Sequence, residues 1–202
     1  MLDVSSLTQL QQVMVVRWHA QPVDNPCEGL LSLVCQQHGF NFLLWHEEDI
    51  ARSPEVGDEK IAQVKRAIDR YNQLRNDGIE KLDDWITADL EKRGVTPIEN
   101  ARLNTETPGS TIDRLSILSL RIFHLEEQTE RRDATVEHLQ SVRQKLAVCR
   151  LQHADLSQSL RELLDDIYAG RKRQRTYRAL KMYNDPALNP YLYSAVPELK
   201  VG

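Results

Sequence analysis

Between Leu139 and Ile167 one pattern constrains the fold more than any other feature of the sequence. Leu139, Val142, Leu146, Cys149, His153, Leu156, Leu160, Leu163 and Ile167 follow one another at alternating three- and four-residue steps. This is a heptad-like seam, the signature of a helix packed along its length against neighbours. It predicts a helix from about Ala134 to Ala169, about 50 Å long at ~1.5 Å per residue. Gly170 is placed to end it, because glycine adopts the left-handed conformation that closes a helix. This helix is the predicted spine of the molecule. His153, inside the seam, reads as a hydrogen-bonded core residue rather than a ligand.

The rest of the chain repeats the helical period. Ile61, Val64, Ile68, Tyr71, Ile79, Leu82 and Ile86 form an apolar face from Glu59 to about Leu90. In "TPGSTIDRLSILSLRIFHLEEQ", Thr107 before Pro108 offers cap and first-turn chemistry, and Ser110 with Asp113 resembles a capping box. From Leu115 to Leu125 apolar residues occur almost all round, predicting the most buried helix. Leu7, Leu10, Val13 or Met14, and Arg17 or Trp18 share a face upstream, and Phe42 to Arg52 lies on a further helix. "QPVDNPCEG", "SPEVGD" and "RGVTPIENARLNTETPG" carry the proline, glycine and asparagine of connections. No strand-like alternation competes. The expectation is an all-α, single-domain helical bundle over residues 1–202, with five main helices and a shorter basic one after Gly170. The basic, tyrosine-rich segment 170–202 is expected to pack on that bundle.

Bulk properties exclude several classes. Charged residues make up 28% and the hydrophobic set 41% of 202 residues, too apolar for a disordered chain. A formal net charge of −4 argues against a dedicated nucleic-acid binder. The start "MLDVSSLTQLQQ" has no basic or continuous apolar region, so it does not read as a signal peptide. The densest apolar stretch, "LSILSLRIF", is interrupted by serines and an arginine and is too short for a membrane span. Cys27, Cys35 and Cys149 show no CxxC spacing, which suits free thiols in a reducing compartment. The expected location is the cytoplasm.

Polar chemistry concentrates in "NFLLWHEEDIAR". A zinc protease motif is absent, because the residue four after His46 is Ile50. Magnesium-dependent all-α pyrophosphohydrolases use ExxE and ExxD spacings. Glu80 and Asp83 satisfy ExxD, but Glu47 and Glu48 have no acidic partner three residues on. Glu48 and Asp49 lie four and three residues before Arg52 and can pair with it locally. Phe42, Trp45 and Asp49 share a face, so structural pairing and a ligand site both stay open.

On the next helix Lys65, Asp69, Asn72, Asn76 and Asp83 recur at helical steps, with Arg75 at the edge of the stripe. Asparagines are costly in a helix compared with Glu, Lys or Ala, so Asn72, Arg75 and Asn76 are candidates to bridge helices or hold an anion. At the start of the central helix, Ser110, Thr111 and Arg114 offer an anion site. Against it, Thr107, Ser110 and Asp113 supply cap acceptors and Glu106 repels an anion. The candidate ligand residues are therefore Trp45, His46, Glu48, Asp49, Arg52, Asn72, Arg75, Asn76, Glu106 and Arg114. Convergence of Glu106 with Glu48 and Asp49 would suit a divalent cation, but no motif specifies one and no metal is assigned. Two or more of His19, His124 and His153 would have to meet His46 in space to earn a chemical role.

Four stretches, "LWHEEDIAR", "KRAIDRYNQLRNDGIEKLD", "LNTETPGSTIDRLSILSLRIFHLEEQTER" and "KMYNDPALNPYLY", span Leu44 to Tyr193. They resemble a family of bacterial proteins of about this length catalogued as a domain of unknown function, and "ETPGSTIDRLSIL" is the most specific of them. The resemblance implies no activity and no catalytic residue; it implies an encoding neighbourhood of glycosyltransferases. Arg171, Lys172, Arg173, Arg175, Arg178 and Lys181 interleave with Tyr177, Tyr183, Tyr191 and Tyr193, a mixture that can bind nucleic acid. The preferred reading is that the basic residues offset acids elsewhere while the tyrosines pack the tail on the bundle; contacts of the same arginines to a phosphorylated sugar or sugar nucleotide are the alternative. The expected function is a binding or accessory protein with a polar groove between helices, for a phosphate-bearing metabolite or a partner in a glycosyltransferase pathway. Two alternatives stand beside it. One is a metal-assisted hydrolase or transferase acting on a nucleotide or sugar phosphate through Glu48 and Asp49. The other is a scaffold whose long helix exposes its seam and forms a homo-oligomer.

Overall fold

Short oxygen side chains start three of the helices. In the computed structural model, which describes residues 2–180, 182 and 185–193, the Asp3 carboxylate accepts the N–H groups of Ser5 and Ser6 and opens α1 (Val4–Ala20). Thr107 accepts Ser110 N–H at 3.1 Å and opens α4 (Pro108–Thr129), with Pro108 in the first turn. Thr135 accepts His138 N–H and opens α5 (Val136–Tyr168). Each such cap satisfies a backbone donor that the helix cannot. The other two long helices are α2 (Gly29–Arg52) and α3 (Asp58–Lys92). The chain is all-α, as the apolar periodicity predicts. The predicted capping box of Ser110 and Asp113 does not form: with Thr107 as cap, Asp113 lies a full turn too deep in the helix and faces the interior.

Gly170 ends α5 at φ 72°, donating to the Ile167 carbonyl while Arg171 donates to that of Asp166. This is the left-handed closure expected there. A side chain at 170 would also meet the Thr96 carbonyl oxygen at 2.7 Å, and Ile98 N–H donates to the Gly170 carbonyl. The end of α5 is thereby docked on the α3–α4 connection. No basic helix follows among the described residues. Lys172–Arg173 (β2) pairs in parallel with Arg102–Leu103 (β1). Arg178 reaches Glu80 and Asp84 of α3, and the Ala179 N–H donates to Glu80. These cations are held by fixed carboxylates and an extended backbone, which a helix there would forfeit. A single helical turn, α6 (Pro190–Tyr193), comes last among the described residues. Tyr177, Tyr191 and Tyr193 are exposed rather than packed; Lys181 and Tyr183 lie outside the described residues.

The central helix is α4, which packs against all four other long helices. Ile112 and Leu115 from α4 meet Leu7, Val34, Leu82, Ile86, Leu160, Leu164 and Ile167 in the main core. Met14, Trp18, Cys35, Phe42 and Leu120 form a second cluster toward the other end of α4. The α5 seam is used inside the chain: Val142, Leu146, Cys149, Leu160, Leu163 and Ile167 are all buried. The exposed seam required by the scaffold alternative is not what the structure shows. Cys27, Cys35 and Cys149 are free thiols. Among the described residues, no helix is long and apolar enough to cross a membrane.

Candidate functional site

Asp113 anchors a buried polar network that joins four helices. Its carboxylate accepts from Arg75 Nε at 2.8 Å and a terminal guanidinium nitrogen at 2.6 Å, from Gln37 at 2.6 Å and from Asn41 at 3.0 Å. The Asp113 side chain is 5% exposed and that of Arg75 26%. The anion that Arg75 holds is therefore the chain's own, and the side-chain hydrogen bond to Asp113 raises the guanidinium pKa further. From Asn41 the network continues to Ser116, then to His38 Nδ1, while His38 Nε2 lies 2.9 Å from the Gln11 carbonyl. A carbonyl only accepts, so Nε2 carries the proton and Nδ1 accepts from the Ser116 hydroxyl. Gln11 in turn donates to the Ile112 carbonyl.

His38 is consequently held neutral, with burial pushing its pKa down to about 4 from 6.5. Between those values the unfolded chain binds a proton that the folded chain refuses. The stability contribution is thus complete above about pH 6.5 and is lost as pH falls to about 4, reaching about 3 kcal/mol for a shift of roughly 2.5 units. Urea unfolding at pH 7.5 and 4.5 should show the native chain losing about that much more than His38→Gln. Equal losses in the two proteins would remove His38 from the network's titration.

A groove opens beside this network. Leu44, Ile117 and Leu120 line it with Trp45 and Asn41, and Glu48, Asp49, Arg52, Arg75 and Arg121 supply its charged groups; its volume is about 380 Å³. Five sequence candidates, Trp45, Glu48, Asp49, Arg52 and Arg75, meet here. Glu48 and Asp49 are paired with Arg52 at 3.0 and 3.6 Å, the local i,i+4 and i,i+3 contacts. Arg75 is committed to Asp113, which leaves Arg121 as the groove cation with no ion pair among the described residues. A second depression of about 520 Å³ lies across α4, between it and α5, and shares Ile117 and Arg121. Arg114 lines that second depression, with Gln152, Asp155 and Ser159.

The remaining candidates lie elsewhere. Asn72 and Asn76 are half-buried on α3 and line neither depression. Glu106 is exposed beside the C-terminal segment and does not line the groove that holds Glu48 and Asp49. The ExxD pair is structural: Glu80 holds Arg178 and Ala179, and Asp83 accepts Gly109 N–H at 2.8 Å. Burial raises the Asp83 pKa against the hydrogen bonds that lower it. With Asp83 on the first free donors of α4, no anion is needed at that helix start.

His46 points away from the groove and meets His19 and His124, one ring nitrogen of each lying within 4.8 Å of the others. The three rings come from α1, α2 and α4, with centroids 5.1–5.8 Å apart. His19 Nδ1 lies 2.7 Å from the Val15 carbonyl and His124 Nδ1 lies 2.8 Å from a Glu127 carboxylate oxygen. Nε2 of His46 and of His124 are buried and have no hydrogen-bond partner among the described residues. Burial, and then the neighbouring His19 and His124, lower the His46 pKa, which keeps the ring neutral near pH 7. Trp45 joins the two sites, lining the groove and stacking on His124 at 5.1 Å and 14°. His153, outside this cluster, is half-buried on α5.

Sequence reasoning made a role for His19 and His124 conditional on their meeting His46, but no spacing joined them. It missed Asp113, Gln37, Asn41 and His38 as a network, and Arg121 as the free groove cation. The only signal for Asp113 was a carboxylate inside an otherwise apolar helix. A family model described as "Protein of unknown function (DUF4254)" matches residues 31–176. That segment holds every groove residue, His46 and His124, while His19 precedes it. No curated protein and no solved structure matches the chain.

Proposed function

We propose that this chain, which belongs to the DUF4254 family of proteins of unknown function, is a cytoplasmic bacterial binding or accessory protein whose α2–α4 groove takes a phosphate-bearing small molecule. Sugar phosphates and sugar nucleotides, the donors used by glycosyltransferases, are the ligand class. The observation that carries this reading is Arg121. It is a guanidinium without an ion-pair partner among the described residues, set beside Trp45 and an apolar floor and shared by both depressions on α4. Guanidinium recognises phosphate bidentately, and the groove volume lies within the roughly 300–1,000 Å³ of small-molecule sites. Arg114, two turns earlier on the same helix, extends the positive rim. Nucleic acid is not proposed, because Arg171, Lys172 and Arg178 are held by Asp166, Glu80 and Asp84.

The competing reading is a metal-assisted hydrolase or transferase on the same ligand class. Glu48 and Asp49, its expected carboxylates, are already paired with Arg52. What favours it is the stacking of Trp45 on His124, which sets three imidazoles behind the groove wall.

Thermal-shift measurements with sugar phosphates, sugar nucleotides and nucleoside diphosphates test the proposal, since a ligand bound only by the native state raises Tm by mass action. At least one class should raise Tm by several degrees. Arg121→Gln should weaken binding about tenfold or more, as loss of a charge-assisted hydrogen bond of ~1.5–3 kcal/mol requires. A Glu48→Gln, Asp49→Asn double variant should keep binding. No shift from any class, or binding lost in the double variant and kept in Arg121→Gln, overturns it.

A further inference from the structure

We propose that His19, His46 and His124 form a binding site for a zinc-class transition-metal dication, with Glu127 holding the His124 ring in its ligating orientation. The site uses none of the groove cations and stands whether or not the groove binds a phosphate. Its three ligands come from three different helices whose packing is set by the second core cluster, so their approach does not depend on a mobile loop. Ring nitrogens that already lie within 4.8 Å of one another need only small side-chain rotations to reach the separation of roughly 3.3 Å that tetrahedral ligands at ~2.0–2.1 Å from zinc would have.

The hydrogen bonds orient the rings as metal ligands are oriented. His19 Nδ1 is satisfied by the Val15 carbonyl and His124 Nδ1 by Glu127. Each bond puts a proton on Nδ1 and so makes Nε2 the nitrogen that a metal would take, the arrangement of carboxylate–histidine–metal and carbonyl–histidine–metal pairs. Packing alone does not account for this. Stacking of His19 on Phe123 and of His124 on Trp45 would be served by either ring orientation, yet the buried Nε2 atoms of His46 and His124 have no partner among the described residues. One cation at the centre would take a ring nitrogen from each of the three histidines.

Ligand type sets the metal class. Three imidazole ligands suit zinc, cobalt, nickel or copper and discriminate against magnesium and calcium, which take oxygen ligands. Three protein ligands leave one tetrahedral position, and His19 is exposed, so that position faces solvent, as in zinc sites that bind a water or substrate atom.

The test uses full-length, tag-free protein stripped with a chelator. Cobalt(II) is titrated and followed by its visible absorption, zinc is added in competition, and bound metal is counted by elemental analysis after dialysis. One metal per chain with tetrahedral cobalt bands is expected, and magnesium should not compete. His46→Gln and His19→Gln should each weaken binding by about 100-fold or more, and Glu127→Gln by about tenfold, the effect of losing an outer-shell partner. His138→Gln, at an exposed site on α5, should change nothing. His19 is exposed, so its variant decides the matter even if His46→Gln fails to fold. Failure to bind cobalt or zinc stoichiometrically, or native-like binding by folded His19→Gln, overturns the proposal.

Discussion

Asp113→Ala is expected to destabilise the chain by about 3–5 kcal/mol, the cost of leaving a buried charge without its partner. The Asp113 carboxylate is nearly fully buried and takes both prongs of the Arg75 guanidinium together with donors from Gln37 and Asn41. Truncation strands the buried donors of Gln37 and Asn41 and leaves the part-buried Arg75 guanidinium without its counter-ion. For a chain of this size that corresponds to a fall in Tm of about 10 °C. Urea unfolding with far-UV circular dichroism measures it. Arg75→Met combined with Asp113→Leu should recover much of the loss, because replacing both charges removes the desolvation cost that a single substitution exposes. A loss below about 1 kcal/mol for Asp113→Ala would mean that water reaches this site and that the network does not hold α3 against α4.

Gly109→Ala is the second large effect, expected at about 3 kcal/mol or more. A β-carbon at this position would lie 2.6 Å from the Ile79 carbonyl oxygen and 2.9 Å from the Asp83 carboxyl. The first neighbour is helix backbone and cannot swing aside. The second is the acceptor of the Gly109 N–H bond, so relief of the clash breaks that bond. Overpacking costs ~1–3 kcal/mol and a hydrogen bond to a charged group ~1.5–3 kcal/mol; together they exceed ordinary substitution effects. Gly57→Ala is the control, since nothing lies within 4 Å of a β-carbon there, and it should cost less than about 1 kcal/mol. Comparable stability of the Gly109 and Gly57 variants would show that α3 and α4 can separate at that crossing without cost.

The groove and the network differ in how legible they were. Glu48 and Asp49 with Arg52 are neighbours on one helical face, so spacing alone placed their ion pairs, and the structure has them at 3.0 and 3.6 Å. Asp113 was assigned to a cap because it stands three residues after a serine near a helix start. That rule ignores which oxygen caps first: Thr107 takes the role, the count shifts by a turn, and Asp113 is turned inward. Arg121 passed unnoticed because its freedom is defined by partners absent around it, and no local pattern reports that.

What the sequence alone determined is what depends on near neighbours in the chain. The α5 seam, the face of α3, the caps at Thr107 and Gly170 and the Arg52 pairs all act within one or two helical turns, where backbone geometry fixes which side chains meet. Only the tertiary structure decided which helix faces which. Arg75 and Asp113 are 38 positions apart, and His19, His46 and His124 sit on three helices with no spacing rule between them. Their meeting depends on the relative rotation and register of whole helices, which the packing of Met14, Trp18, Phe42 and Leu120 sets. A change of one residue in that register would send each polar group to a different face while leaving every local pattern intact.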